Sequence, residues 1–480
     1  VRETVIVQKE IVVEREVEVT RVVQGDRRVV ERQVEVEKVV TATPAPSSVP
    51  VFGGETLPND EPYDAMFFKH YGVNPFIDTE DDHLSTFAMD VDTASYTVAR
   101  RYVNEGHLPP EDAIRVEEFV NYFPQSYPDP AEGEGAFAIH LEGAPSPFGG
   151  DNHYLVRVGI QGKTVEEEAR KDAVLTFVID VSGSMDRENR LELVKRALRL
   201  LVDELRPTDQ VAIVVYGSNA HTVLQPTYAD RRTSILNAID RLRPGGSTYA
   251  EAGLREGYRM ANHAFQPGAI NRVILCSDGV ANVGRTGAES ILDVIGEYAG
   301  KDITLSTVGF GLGNYNDVLM EQLADKGNGN YAYVDTLDEA RRIFVENLTG
   351  TLQVIARDAK IQVEFDPEVV SRYRLLGYEN RDVADEDFRN DTVDAGEVGA
   401  GHSVTALYEV KFHKEIEADE MARALTVRVR YQDPDDLRVR EIAREFWRDE
   451  FQASFSEATP MFRLTAAVAE YAELLRGSYW

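Results

Sequence analysis

The chain is poorest in cysteine, with Cys276 its single example among 480 residues. An intrachain disulfide is therefore excluded, and with it a disulfide-stapled scaffold, although exported bacterial proteins of this size often manage without cystines. Cys276 closes the apolar run Arg272-Val273-Ile274-Leu275-Cys276 and reads as a buried strand residue rather than a reactive thiol. Histidine is sparse as well: the nine residues are scattered and show no metal-ligand spacing. Cationic side chains are few, 51 Lys and Arg against 83 Asp and Glu, a net charge of −32. Such a surface repels phosphate backbones, so no nucleic-acid partner is expected, and it repels anionic lipid headgroups too. No apolar run reaches the roughly 18 residues needed to cross a bilayer. No signal peptide is visible, and a start at Val1 rather than Met reads as a processed, trimmed or internal beginning.

What is present is ample for packed cores: 43% hydrophobic residues and 9% aromatics, over a length that suggests about three domains. Residues 1–41 stand apart. Val5, Val7, Lys9 is followed by Ile11, Val13, Arg15 and then Val17, Val19, Arg21, a six-residue repeat with β-strand alternation. Past Gly25-Asp26 the alternation resumes at Val34, Val36, Lys38 and Val40. A ribbon of this kind has one apolar face and needs a partner. It reads either as a charged spacer or as an intermolecular β stalk through which the chain forms a homo-oligomer. A Pro/Ser-rich linker follows over 42–60.

The region 61–164 carries helical signals first, at Tyr96–Asn104 and up to Val120, and then strands at Ala136–Glu142 and Tyr154–Gln161. Asp90-Val91-Asp92-Thr93-Ala94-Ser95 reads as a helix cap. Residues 165–350 alternate apolar strands (Ala173–Ile179, Gln210–Tyr216, Arg272–Cys276, Ile303–Val308, Tyr331–Val334) with helical segments. That alternation predicts a doubly wound, mostly parallel α/β sheet covered on both faces. Residues 351–480 change to half-buried strands at Lys360–Phe365, Val404–Phe412 and Leu425–Tyr431, an antiparallel β domain that closes on an amphipathic helix over Pro460–Leu475. The acidic loop Asp382–Asp394 fits no regular calcium loop and reads as a solvated turn. Asn347-Leu348-Thr349 is a glycosylation sequon placed in a helical segment and is discounted for that reason.

The chemistry is concentrated at three strand ends. Phe177-Val178-Ile179-Asp180 runs into Val181-Ser182-Gly183-Ser184. Gly245-Gly246-Ser247-Thr248 precedes a helix, and Cys276-Ser277-Asp278-Gly279 ends another strand. Loops at the carboxyl ends of parallel strands can meet above the sheet. Two carboxylates and three hydroxyls would then offer all-oxygen coordination suited to Mg²⁺, with Mn²⁺ or Ca²⁺ as replacements and zinc disfavoured.

Asp180-x-Ser182-x-Ser184, Thr248 and Asp278 resemble the metal-ion-dependent adhesion site of von Willebrand factor type A domains, in order and at all five positions. The flanks are similar to a bacterial family of exported type A lipoproteins: Ser85-Thr86-Phe87 through Asp92-Thr93-Ala94-Ser95-Tyr96, Arg115-Val116-Glu117-Glu118, Gly311 to Asp317, and Gly377-Tyr378-Glu379-Asn380-Arg381 to Gly401-His402. Residues 1–50 fall outside that resemblance but look like tethers of surface lipoproteins. It implies that the hydroxyls bind the metal while Asp180 and Asp278 act partly through water, leaving one position for an Asp or Glu of a protein ligand. The expectation is a non-enzymatic, metal-dependent adhesion protein on the extracellular face of the envelope, held to the membrane only through a lipid anchor upstream of the chain. The alternative is a structural subunit of a surface oligomer or filament built through the N-terminal stalk. A Mg²⁺-dependent hydrolase is disfavoured, because no general base, phosphate-binding loop or nucleophile motif accompanies the site.

Overall fold

The apolar runs between residues 173 and 334 are strands that share one sheet. In the computed structural model, which describes residues 68–150, 152–279, 292, 295–311, 315–346, 352–391, 393, 395–414 and 421–479, six strands lie side by side. Their order is Tyr331–Val334, Ile303–Phe310, Ile270–Ser277, Ala173–Asp180, Gln210–Tyr216 and Ala220–Tyr228. The first five run parallel, and the sixth is an antiparallel edge. The valine-rich repeat over 1–41, the linker and the sequon lie outside the described residues.

All eight residues of Ala173–Asp180 are buried, and the period of two sends them to opposite faces. Leu175, Phe177 and Ile179 pack with Leu191, Val194, Leu198 and Leu201 of helix Arg190–Glu204 and with Ile235 and Ile239 of helix Arg232–Arg241. Val178 faces the other way, towards Leu254 and Tyr258 of helix Ala250–Ala264 and Leu319, Met320 and Leu323 of helix Asp317–Lys326. Helices cover both faces of the central strands, and the carboxyl ends of those strands are where a doubly wound sheet presents ligand sites.

The region 61–164 does not stay apart from the parallel sheet: Ala94, Val98 and Tyr102 of helix Ala94–Asn104 enter its core. Thr97 Oγ1 also donates to the Tyr333 carbonyl at 2.9 Å. The helix is amphipathic, and the edge strand Tyr331–Val334 offers it an apolar surface. The cap reading of Asp90–Ser95 fails. Thr93 is the N-cap residue and makes no side-chain cap bond. Asp92 instead accepts from the Tyr331 N–H at 2.9 Å, and Asp90 accepts from the Asp92 N–H at 2.9 Å.

Two antiparallel sheets form the rest. One orders Ile77–Asp78, Val370–Leu376, Ser403–Phe412, His153–Gly162 and Phe137–Pro145. The other orders Gly396–Gly399, Val354–Phe365, Arg423–Gln432 and Val439–Trp447, with Leu84–Ala88 pairing on Val354–Phe365. Val156, Val158 and Ile160 of the first sheet meet Ile361, Val363, Val427 and Val429 of the second in a shared core, the arrangement of a β sandwich. On the first sheet's outer side Leu155 and Leu407 meet Phe119 of helix Val116–Tyr122 and Phe462, Ala466 and Ala469 of helix Pro460–Leu475. The strands at 137–162 thus join this sheet through Ser403–Phe412, a strand far later in the chain.

Candidate metal centre

Register sets the site. Ile179 pairs with Cys276 and Asp180 with Tyr216, so Asp180 ends its strand beside Ser277 and Asp278. Asp180 is fully buried. Its Oδ1 accepts from the Ser182 N–H at 2.7 Å and its Oδ2 from the Ser277 hydroxyl at 3.1 Å. Those two bonds lock the carboxylate and fold the following turn back over it. Ser182, also buried, places its Oγ 3.0 Å from the Ser184 Oγ.

The second loop is fastened to the first through backbone hydrogen bonds. The Gly245 N–H donates to the Val181 carbonyl at 2.6 Å and the Gly183 N–H to the Gly246 carbonyl at 3.0 Å. Gly246 adopts φ +91°, and a Cβ there would lie 2.7 Å from the Ser218 Oγ. Only glycine fits so tight an approach without strain. Thr248 follows, half-buried, and the Tyr249 N–H then returns to the Gly217 carbonyl at 3.1 Å. Asp278 is buried and pairs through Oδ2 with Arg190 Nη1 at 2.8 Å.

Two acids set so close perturb each other. Burial first, and then the charge of Asp278, push the Asp180 carboxyl up to about 6. The Tyr216 hydroxyl beneath them is pushed well above its usual range, by burial first and by Asp180 second. Asp180, Ser182, Ser184 and Asp278 thus gather above the centre of the sheet, with Thr248 on a loop bonded to the same turn. The donors are all oxygen, a set that suits a hard divalent cation. Sequence reasoning missed Arg190, which neutralises Asp278 from the first turn of the next helix. Glu188, at φ +49°, links that guanidinium (3.6 Å) to Arg101 of the amino-terminal helix. Nothing local in the sequence marks Arg190, because its partner lies 88 residues away.

Fold and site together define the class. Residues 175–346 match the family described as von Willebrand factor type A domain, a class whose members typically mediate protein–protein interaction. Residues 62–157 match the family described as von Willebrand factor, and residues 350–480 the one described as Uncharacterized protein YfbK, C-terminal. The chain is 37% identical over 434 residues to Uncharacterized protein YfbK of Escherichia coli (strain K12), covering 86% of this chain and 74% of that protein. It belongs to the family of that protein, a type A domain held between two flanking family regions. It is also 26% identical over 191 residues to inter-alpha-trypsin inhibitor heavy chain H2 of Homo sapiens, covering 37% of this chain and 20% of that one. A solved structure, von Willebrand factor type A from Catenulispora acidiphila, aligns with a TM-score of 0.41 at 18% identity, over 70% of this chain and 78% of that chain.

Proposed function

We propose that the chain is a metal-dependent protein-binding module, without catalytic activity, that captures an acidic side chain of a partner. The observation that carries this reading is Asp180 meeting Ser182, Ser184 and Asp278 at the carboxyl ends of adjacent parallel strands. Asp180, Ser182, Ser184, Thr248 and Asp278 would hold Mg²⁺, with Mn²⁺ or Ca²⁺ as replacements. Such an ion supplies a Lewis-acidic position for a carboxylate of the partner. The chain's own residues set its strength. Three of the five donors are neutral hydroxyls, and Arg190 draws charge from Asp278, so less negative charge faces the ion than two free carboxylates would supply. The outer face of the cell envelope is the setting this reading assigns, with a lipid anchor as the tether and residues 1–41 as a spacer. Its support is the resemblance of the valine-rich repeat to surface-lipoprotein tethers. Among the described residues no helix is long and apolar enough to cross a membrane.

The test is capture of partners from a native cell-envelope fraction by the full chain and by Asp180→Ala, each with Mg²⁺ or with EDTA. The reading expects a protein retained by the unaltered chain in Mg²⁺ and lost both with EDTA and with the substitution. Capture that persists unchanged in Asp180→Ala and keeps its EDTA sensitivity refutes it.

A further inference from the structure

A second set of oxygens lies between the parallel-sheet domain and the β sandwich. Asp90, Glu117 and Glu118 each offer one carboxylate oxygen, and the three atoms lie within 4.8 Å of one another. All three residues are at least nine-tenths buried: Asp90 is 5% exposed, Glu117 1% and Glu118 0%. They belong to no loop of the Asp180 site. Opposite ligands of a calcium-sized ion stand about twice the Ca–O distance of roughly 2.3–2.6 Å apart, so the separation lets one ion reach all three.

Their hydrogen bonds are unequal, and that inequality is an independent sign of a ligand. Asp90 accepts from the Asp92 N–H at 2.9 Å and from Arg381 Nε at 3.0 Å. Glu118 accepts from the Ser95 N–H at 2.7 Å and from Arg115. Among the described residues Glu117 accepts only from the Tyr378 N–H, through Oε2 at 3.0 Å, and its buried Oε1 has no hydrogen-bond partner. The side chain is held in place: Gly377, at φ +85°, brings its backbone so near that a Cβ would lie 2.4 Å from Glu117 Oε2. A buried carboxylate oxygen fixed in place without a donor is costly, and a cation bound there would satisfy it. Arg115 and Arg381 do not neutralise the cluster alone, because Arg115 also pairs with Asp317 at 2.7 Å and Arg381 with Glu321 at 3.1 Å. Asp90 also lines a small cavity of about 30 Å³ together with Asp92 and Arg381.

We propose that Asp90, Glu117 and Glu118 form a second, structural cation site that takes a divalent, oxygen-seeking ion of the calcium class. Mg²⁺ fits less well, because it keeps several waters and this site is closed to solvent. The ion would hold Asp90 to Glu117 and Glu118 within the amino-terminal segment, while Glu117 Oε2 keeps its bond from the Tyr378 N–H of the sandwich. It does not depend on the function proposed for Asp180.

The experiment counts calcium ions bound at equilibrium by the full chain, by Asp180→Ala and by Asp180→Ala combined with Glu117→Gln. It also follows thermal unfolding of each with calcium or chelator. One ion bound by Asp180→Ala, lost in the double variant, together with a calcium-dependent rise in its melting temperature, supports the site whether or not the unaltered chain binds another. No ion bound by Asp180→Ala overturns it, and that measurement alters nothing in the cluster. An undiminished count in the double variant overturns it as well, since the carboxylates would then be sharing protons rather than a metal. If Glu117→Gln does not fold, Asp90→Asn replaces it, with the same expectation. Equal counts in the unaltered chain and Asp180→Ala would strike at the Asp180 site alone.

Discussion

Replacing Asp180 by Asn should stabilise the metal-free chain and weaken the response to metal, two effects of opposite sign from one substitution. Folding raises the Asp180 pKa from 3.8 to about 6, so between those values the native chain binds more protons than the unfolded one. The stability contributed by the protonated carboxyl is fully present below about pH 4 and is lost as the pH rises through about 6. A shift of about two units sets a ceiling of about 3 kcal/mol on that loss. Asn reproduces the neutral state. Its side-chain oxygen keeps the Ser182 N–H bond, and its amide can donate to the Ser277 hydroxyl, which rotates to accept. In EDTA at pH 8 the variant should therefore exceed the unaltered chain by up to about 3 kcal/mol, with the difference closing near pH 4. With Mg²⁺ at about a thousandfold its dissociation constant the unaltered chain gains about 4.1 kcal/mol and the variant far less, so the order reverses. Urea unfolding at pH 4, 6 and 8, in chelator and in Mg²⁺, reads both terms. A variant less stable than the unaltered chain in EDTA at pH 8 refutes the cost assigned to the buried Asp180 charge, and an equal Mg²⁺ response in both chains refutes the ligand role.

Two further expectations concern the same sheet. Asp209 and Arg170 form a fully buried pair at 2.7 Å, and Asp209 also accepts from the Ala173 and Arg206 N–H groups; Asp209→Ala leaves the guanidinium uncompensated and should cost about 3–5 kcal/mol by urea unfolding, a loss under about 1 kcal/mol contradicting it. Burial pushes the Cys276 thiol up to about 12, so Ellman labelling at pH 8 should proceed only as fast as the chain unfolds; prompt labelling of the native chain would show the strand to be open.

The sequence was most legible where one kind of order repeats. Continuous apolar runs ending in Asp180 and Ser277-Asp278 disclosed the parallel sheet, and the spacing of apolar residues gave the helix Pro460–Leu475 its observed bounds. Edge strands were not legible. Val439–Trp447 pairs on one side with Arg423–Gln432 and keeps most of its residues in solvent, so it has no buried face to create an alternating pattern. Ala220–Tyr228 and Leu84–Ala88 were missed as well, and their backbone hydrogen bonds depend on which strand lies alongside.

By itself the sequence determined the class of the central domain and the strand ends at which its oxygen-bearing side chains stand. Those properties follow from residue type and short-range period, which every folded conformer of the segment shares. Tertiary structure alone decided that helix Ala94–Asn104 completes the parallel-sheet core, that Arg190 answers Asp278, and that Asp90, read from its neighbours as part of a cap, stands within 4.8 Å of the ligand atoms of Glu117 and Glu118. Each is a contact between residues far apart in the chain. Burial makes a charge or an apolar face consequential, and burial is set by what packs against a residue, which its neighbours in sequence do not specify.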